Sequence, residues 1–241
     1  MISDRLVLAV VPARGGSKGL SNKNLRTLCD IPLVALVGRV VRDVSQIDRT
    51  VVSTDSPEIA RVAAEAGIDA PFMRPTDLSG DIVSDVDVLM HAVQVTEAMD
   101  DCTYDVVVML QPTSPLRTAA EVTECLRMFT DNAADSVWTV SVADTKYHPL
   151  KQLSVDGEKL SYYDPRGSQV IARQQLQELY YRNGVAYVLT RDCLMNGRTL
   201  LGKRAFACIS TSPHISIDTA EDLALAEQYA RECQMFQDEG A

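Results

Sequence analysis

The sequence predicts an α/β protein, a doubly wound, mostly parallel sheet with helices on both faces. Three observations lead there. Short, nearly continuous apolar runs recur at residues 6–11, 50–53, 106–110 and 137–142, as strands buried on both faces require. Between them, apolar residues recur at helical spacing. Parallel strands joined through such helices need right-handed crossovers, which set helices on the sheet's two faces.

Taken in order, residues 6–11 predict a central strand, followed by a polar, glycine-rich loop. Leu33, Leu36, Val37, Val40, Val41 and Val44 form a helical stripe, with Pro32 in the first turn. After the strand at 50–53, Ser56-Pro57-Glu58 supplies an N-cap, a first-turn proline and an acidic first turn, and Gly67 ends that helix. A short strand is expected at 70–73, then a loop from Arg74 and a helix carrying Val86, Leu89, Met90 and Val93. The strand at 106–110 enters the loop Gln111–Arg117. Thr118 and Glu121 then form a capping box for a helix with Val122, Cys125, Leu126 and Phe129 inward.

Beyond the strand at 137–142 the periodicity changes. Residues 143–179 carry Pro149, Gly157, Pro165 and Gly167 and read as an excursion from the sheet, so the core comprises 1–142 and 180–241. Residues 185–189 return as a strand. A final strand ends at Ile217-Asp218, before a helix capped by Thr219 and bearing Leu223, Leu225, Ala226 and Tyr229. Ligands of such sheets bind beyond the carboxyl ends of the strands. The loops 12–24, 74–85 and 111–117 all follow strands and should meet at one rim.

With 33 acidic and 23 basic side chains the formal charge is −10, which disfavours nucleic acid as a partner. An anionic small molecule remains compatible if cations are concentrated locally. No apolar run approaches the roughly 18 residues that span a bilayer. Residues 6–11 are too short for a signal-peptide core, so a cytoplasmic location is expected. Cys29, Cys102, Cys125, Cys193, Cys208 and Cys233 are scattered without a CxxC pair, which predicts reduced thiols rather than zinc or disulfides. His91 and His214 lack a nearby nucleophile and read as structural, His148 as positioning at most, and Trp138 and Met128 as core.

The densest chemistry lies in Pro12-Ala13-Arg14-Gly15-Gly16-Ser17-Lys18-Gly19-Leu20-Ser21-Asn22-Lys23-Asn24. Glycines let backbone N–H groups approach an anion, and Arg14 and Lys18 supply positive charge. The spacing fits neither GxxxxGK[ST] nor GxGxxG, which disfavours a P-loop or a dinucleotide site. By residue type alone two readings stay open, a phosphate-binding loop and a solvated turn.

This segment resembles the signature of the CMP-sialic acid synthetase family (acylneuraminate cytidylyltransferases), relatives of the CMP-Kdo synthetases. Further segments resemble the family in the expected order: Arg74-Pro75-Thr76-Asp77-Leu78-Ser79, Gln111-Pro112-Thr113-Ser114-Pro115-Leu116-Arg117, His148-Pro149-Leu150-Lys151, Arg173-Gln174-Gln175, Arg182-Asn183-Gly184 and Ser216-Ile217-Asp218-Thr219-Ala220-Glu221-Asp222-Leu223. The resemblance spans residues 6 to about 230 and implies a Rossmann-like nucleotidyltransferase core.

It implies that CTP is held by Ala13, Arg14, Ser17, Lys18 and Asn24, with Arg74 and Ser84 assisting. Gln111 would face the sugar or nucleoside. Lys151 and Arg173, from the excursion, would meet the carboxylate and polar groups of a nine-carbon sugar acid. Arg14, Lys18 and Asp218 would be catalytic, Asp218 as the ligand of Mg²⁺. On their own, Asp218 also fits an ordinary turn aspartate and Arg173 a solvated arginine. Sialate members carry a second Asp two positions before the metal ligand, where this chain has Ser216, and the extra aspartate of the Kdo relatives is missing from the Gln111 motif. Metal binding would then rest on Asp218, triphosphate and water.

The reaction implied is transfer of CMP from CTP to the anomeric hydroxyl of a sialic- or legionaminic-type acid, by a homodimer whose excursions pack against the partner. Two other readings remain: a nucleotidyltransferase using a different nucleotide or a sugar phosphate, and a non-catalytic nucleotide-binding homologue. The intact Lys18 and Asp218 speak against the latter.

Overall fold

The computed structural model describes residue 2 and residues 4–236; the outermost bounds of the expected core, residues 1 and 237–241, lie outside it. Strand β1 (Val7–Pro12) lies inside the sheet, paired along both its edges, one place in from the end. Its alternate residues serve two cores. Val7, Ala9 and Val11 face one, while Leu8 and Val10 face the other, which is why the run is continuous rather than alternating.

A glycine loop and a two-residue hairpin, β2 (Thr27–Leu28) and β3 (Ile31–Pro32), lead to helix α1 (Leu33–Val41). The chain continues through β4 (Arg49–Ser53), α2 (Pro57–Glu65), α3 (Asp85–Asp100), β5 (Val106–Met109) and α4 (Ala119–Asp131) to β6 (Ser136–Val142). Helices α1, α2 and α4 cover one face with Val34, Val37, Ile59, Val122, Leu126 and Phe129. Helix α3 covers the other with Leu89 and Val93. The capping box of α4 forms as expected, and Ser56 and Ser84 cap α2 and α3.

After β6 the chain makes two 3₁₀ turns and an exposed hairpin, β7 (Leu153–Asp156) with β8 (Lys159–Tyr162). It returns as β9 (Tyr180–Thr190), then α5 (Arg191–Met195), β10 (Ala205–Ile209) and α6 (Ala220–Glu232). The six-stranded sheet has the order β10-β6-β9-β5-β1-β4. β9 pairs antiparallel with both β5 and β6, whereas the other pairings are parallel. The first residues of β9 therefore lie at the rim where β1 and β5 end.

Two expected strands are absent. At 70–73 the pairing reduces to one bridge between Asp69 and Val51, because Pro71 has no N–H to extend the ladder. The last strand is β10, and residues 210–218 form a loop interrupted by Pro213. Ile217 is apolar because it packs with Leu116 and Ala226 beneath α6, not because it lies in the sheet; its N–H donates to Thr113 O at 2.8 Å. No helix among the described residues is long and apolar enough to cross a membrane.

Candidate active site

A cleft of about 640 Å³ opens at the carboxyl rim, and the three loops expected to meet there all line it. The loop after β1 contributes Arg14, Ser17, Lys18, Lys23 and Asn24. The 74–85 loop contributes Arg74, Asp81 and Asp85, and the loop after β5 contributes Gln111 and Thr113. Arg182, Asn183, Gly184 and Tyr187 enter from β9, and Ser216 and Asp218 from the loop before α6.

The glycine loop is held by its own groups and by Asp55, just after β4. Asn24, nearly buried, donates from Nδ2 to Arg14 O at 2.9 Å, and Gly15 N–H donates to Asp55 Oδ1 at 2.8 Å. Gly19 passes so near the 210–218 loop that a Cβ there would lie 2.8 Å from Asp218 O. Arg74 is buried and donates from Nε to Ser53 Oγ at 3.0 Å and from Nη2 to Ser53 O. Burial, with a smaller push from Arg14, lowers its pKa.

Arg117 binds the rim together from below. Its enclosed guanidinium donates to Val185 O at 3.0 Å, to Gly184 O at 2.9 Å and to Gln111 O at 2.5 Å. Burial pulls its pKa down to about 9, still cationic at neutral pH, with Glu121 opposing the shift. Gly184, at φ +74°, sits where a Cβ would overlap Ser114 Oγ and Gln111 Oε1.

Three ion pairs mark the cleft's polar end. Asp81 accepts from Arg14 Nη1 at 2.7 Å and from Lys18 Nζ at 2.5 Å, and these bonds, Lys18's foremost, hold its carboxyl below the usual range. Lys23 Nζ lies 2.8 Å from Asp218 Oδ1. Asp218 has its side chain 70% exposed toward the cleft. No cluster of three or more His, Cys, Asp or Glu able to hold a metal occurs among the described residues. One exposed carboxylate does not make an all-protein metal cage. It does fit Mg²⁺, which takes one or two carboxylates and fills its remaining positions with substrate phosphate and water.

Of the residues expected in the site, Arg14, Ser17, Lys18, Asn24, Arg74, Gln111 and Asp218 line the cleft. Ala13 is fully buried behind it. The Ser84 hydroxyl is committed to capping α3, accepting from Asp87 N at 3.2 Å and donating to Asp87 Oδ2 at 2.7 Å. Lys151 and Arg173 are exposed on the excursion and do not line the cleft of the single chain. Lys23, Asp81, Asp85, Arg182 and Tyr187 line the cleft as well, beyond the residues expected from sequence. Lys23 and Arg182 fall inside the segments that resemble the family, but Asp81, preceded by Ser79-Gly80, reads in sequence as turn chemistry.

No histidine among the described residues lines the cleft. His91 packs edge-on to Phe72, with ring centroids 5.3 Å apart, and His148 Nδ1 accepts from Leu150 N at 3.1 Å. His214 Nε2 lies 2.8 Å from Glu121 Oε1. All six cysteines are free.

An α/β sheet with a cation-bearing glycine loop at its carboxyl rim defines a nucleotide-binding protein of the doubly wound class. A cytidylyltransferase family model matches residues 8–236. The chain is 30% identical to a CMP-N,N'-diacetyllegionaminic acid synthase of Legionella pneumophila, covering 92% of this chain and 95% of that one. It is 28% identical to a post-translational flagellin modification protein B of Campylobacter coli, covering 94% and 95%. An N-acylneuraminate cytidylyltransferase of Escherichia coli is 28% identical over 91% of this chain, which spans 51% of that relative. Among solved structures, a CMP:2-keto-3-deoxy-manno-octonic acid synthetase complexed with CTP shares the fold at a TM-score of 0.67 and 20% identity, covering 94% of this chain and 99% of that one. The chain belongs to the cytidylyltransferase family, among the acylneuraminate-type enzymes.

Proposed function

We propose that the chain transfers CMP from CTP to a nonulosonic acid and releases pyrophosphate. The observation that carries this reading is the meeting, at one rim, of the glycine-loop cations, Gln111 and Asp218 in a chain of this family. The anomeric hydroxyl of a 2-keto-3-deoxy acid attacks the α-phosphorus in line. The new C–O–P link forms as the bond to pyrophosphate breaks, the hydroxyl proton is lost, and the carboxylate stays free.

Arg14, Ser17 and Lys18 hold the triphosphate, Asn24 keeps their loop folded, and Arg74 adds charge from the cleft wall. Gln111 faces the acceptor or the nucleoside. Holding two reactants in line supplies up to roughly 7–11 kcal/mol of the barrier, against the 10²–10⁴-fold typical of a general base, so alignment and charge neutralisation dominate. Asp218 would hold Mg²⁺, which supplies further neutralisation of the phosphate charge.

The acceptor is a sialic- or legionaminic-type acid, a choice supported by the relatives' specificities. The protein works as a cytoplasmic homodimer. The excursion exposes Leu153, Val155, Leu160, Tyr162, Tyr163 and Ile171, an apolar set that a partner would cover. That packing would carry Lys151 and Arg173 to the partner's cleft, where a guanidinium suits the sugar carboxylate.

The test is a pyrophosphate-release assay with CTP, Mg²⁺ and a panel of nonulosonic acids. Release with at least one acid, and none with simple hexose phosphates, is expected. No release with any acid would overturn the proposal.

A further inference from the structure

Two of the glycine loop's cations, Arg14 and Lys18, already hold an anion, and it is the protein's own. Asp81 gives one oxygen to each, Oδ1 to Arg14 at 2.7 Å and Oδ2 to Lys18 at 2.5 Å. A phosphate group would engage the same pair in the same divided way.

The tip carrying Asp81 has little else to hold it. Its flanks are fixed, by Arg74 on Ser53 at one end and by Ser84 capping α3 at the other. Among the described residues, the only hydrogen bonds joining residues 80–83 to other segments are those of Asp81. The neighbouring Ile82 is 99% exposed and packs on nothing. The contact is therefore ionic, solvent-facing and reversible.

We propose that Asp81 is a resident substitute for a phosphate group, which neutralises Arg14 and Lys18 until triphosphate or pyrophosphate binds and is then displaced, with residues 80–83. The inference rests on the reading of the glycine loop as the triphosphate site. Two anions sharing one pair of cations repel at contact distance, so phosphate and Asp81 compete for the same donors. The competition weakens nucleotide binding and equally hastens departure of pyrophosphate after transfer. The depressed carboxyl of Asp81 keeps the competitor ionised throughout the neutral range.

Removing the competitor should strengthen phosphate binding, a direction opposite to that expected for a residue that helps bind substrate. Exposed ion pairs are individually weak, so D81N should bind magnesium-free pyrophosphate about three- to ten-fold more tightly in calorimetry, and CTP likewise. Asp77→Asn, which removes one charge from the same loop outside the cleft, controls for the change in net charge and should bind as the wild type does.

If the wild type binds pyrophosphate and CTP while D81N binds them no more tightly, or if D77N gains as much, the proposal is overturned. A wild type that binds neither ligand overturns the parent reading of the loop, and this one with it.

Discussion

At the scale of single residues, the shape of the cleft depends on backbone geometry as well as on charge. Gly184 is the sharpest case, since its positive φ and lack of a Cβ let β9 approach Gln111 and Ser114. Gly184→Ala should cost about 2–4 kcal/mol, from the left-handed backbone and the overlap together. It should also lower kcat/KM by displacing Gln111. Urea unfolding and steady-state kinetics check both, and a neutral variant would remove Gly184 from the account. The cations of the first loop were visible as glycines and basic residues after an apolar strand, a pattern that fits a phosphate loop or a solvated turn, and the resemblance to the family decided between them. Asp81 was not legible, because nothing in a lone loop aspartate says that it will find Arg14 across 67 residues of chain.

At the scale of elements, helix α4 ties two rim loops together through Glu121. Its Oε2 accepts from Thr118 N at 3.0 Å, completing the capping box, while Oε1 receives Ser210 Oγ and His214 from the loop that carries Asp218. Burial pushes this carboxyl upward, but the bonds from His214 and Ser210, the charge of His214 and the Thr118 amide outweigh it. The group is held at about 2, against an ordinary 4.5. A carboxyl depressed in the fold gives stability that is present above its unfolded pKa and lost as pH falls toward the folded one. Wild-type stability should thus drop by about 1–2 kcal/mol between pH 4.5 and 2 on this account, allowing for partial exposure. Urea melts of Glu121→Gln should lack that component; parallel pH profiles would contradict it. The capping box was readable because Thr and Glu stood three apart before an apolar stripe, whereas its second use, reaching residues 210 and 214, is tertiary. The same limit explains the missing strands: the hydrophobicity of Ile217 and of residues 70–73 was visible, but Pro71 and the docking of α6 decided what it meant.

At the scale of the molecule, the sheet's class was legible from apolar runs and their spacing, but not its strand order or the reversed direction of β9, which depend on pairings distant in sequence. The proposed dimer makes a prediction at this scale. Asp218→Asn should abolish turnover while sparing the fold, and Arg173→Ala should impair use of the sugar acid. If excursions act on the partner's cleft, mixing the two variants restores one intact site in each heterodimer, or about a quarter of wild-type activity. Activity no higher than the sum of the separate variants would place Arg173 elsewhere.

The way the excursion joins the sheet has a consequence for diversification. Val142 and Tyr180 are paired neighbours, and Ala143 N–H donates to Leu179 O at 2.8 Å. The chain thus departs and returns one strand spacing apart, and residues 143–179 form a loop closed at its neck. A cassette closed in this way can lengthen, shorten or be exchanged between relatives without moving the register of β6 or β9. The catalytic rim and the part proposed to recognise the sugar can then evolve on separate schedules. Grafting a relative's cassette at this neck is the natural way to retarget the acceptor.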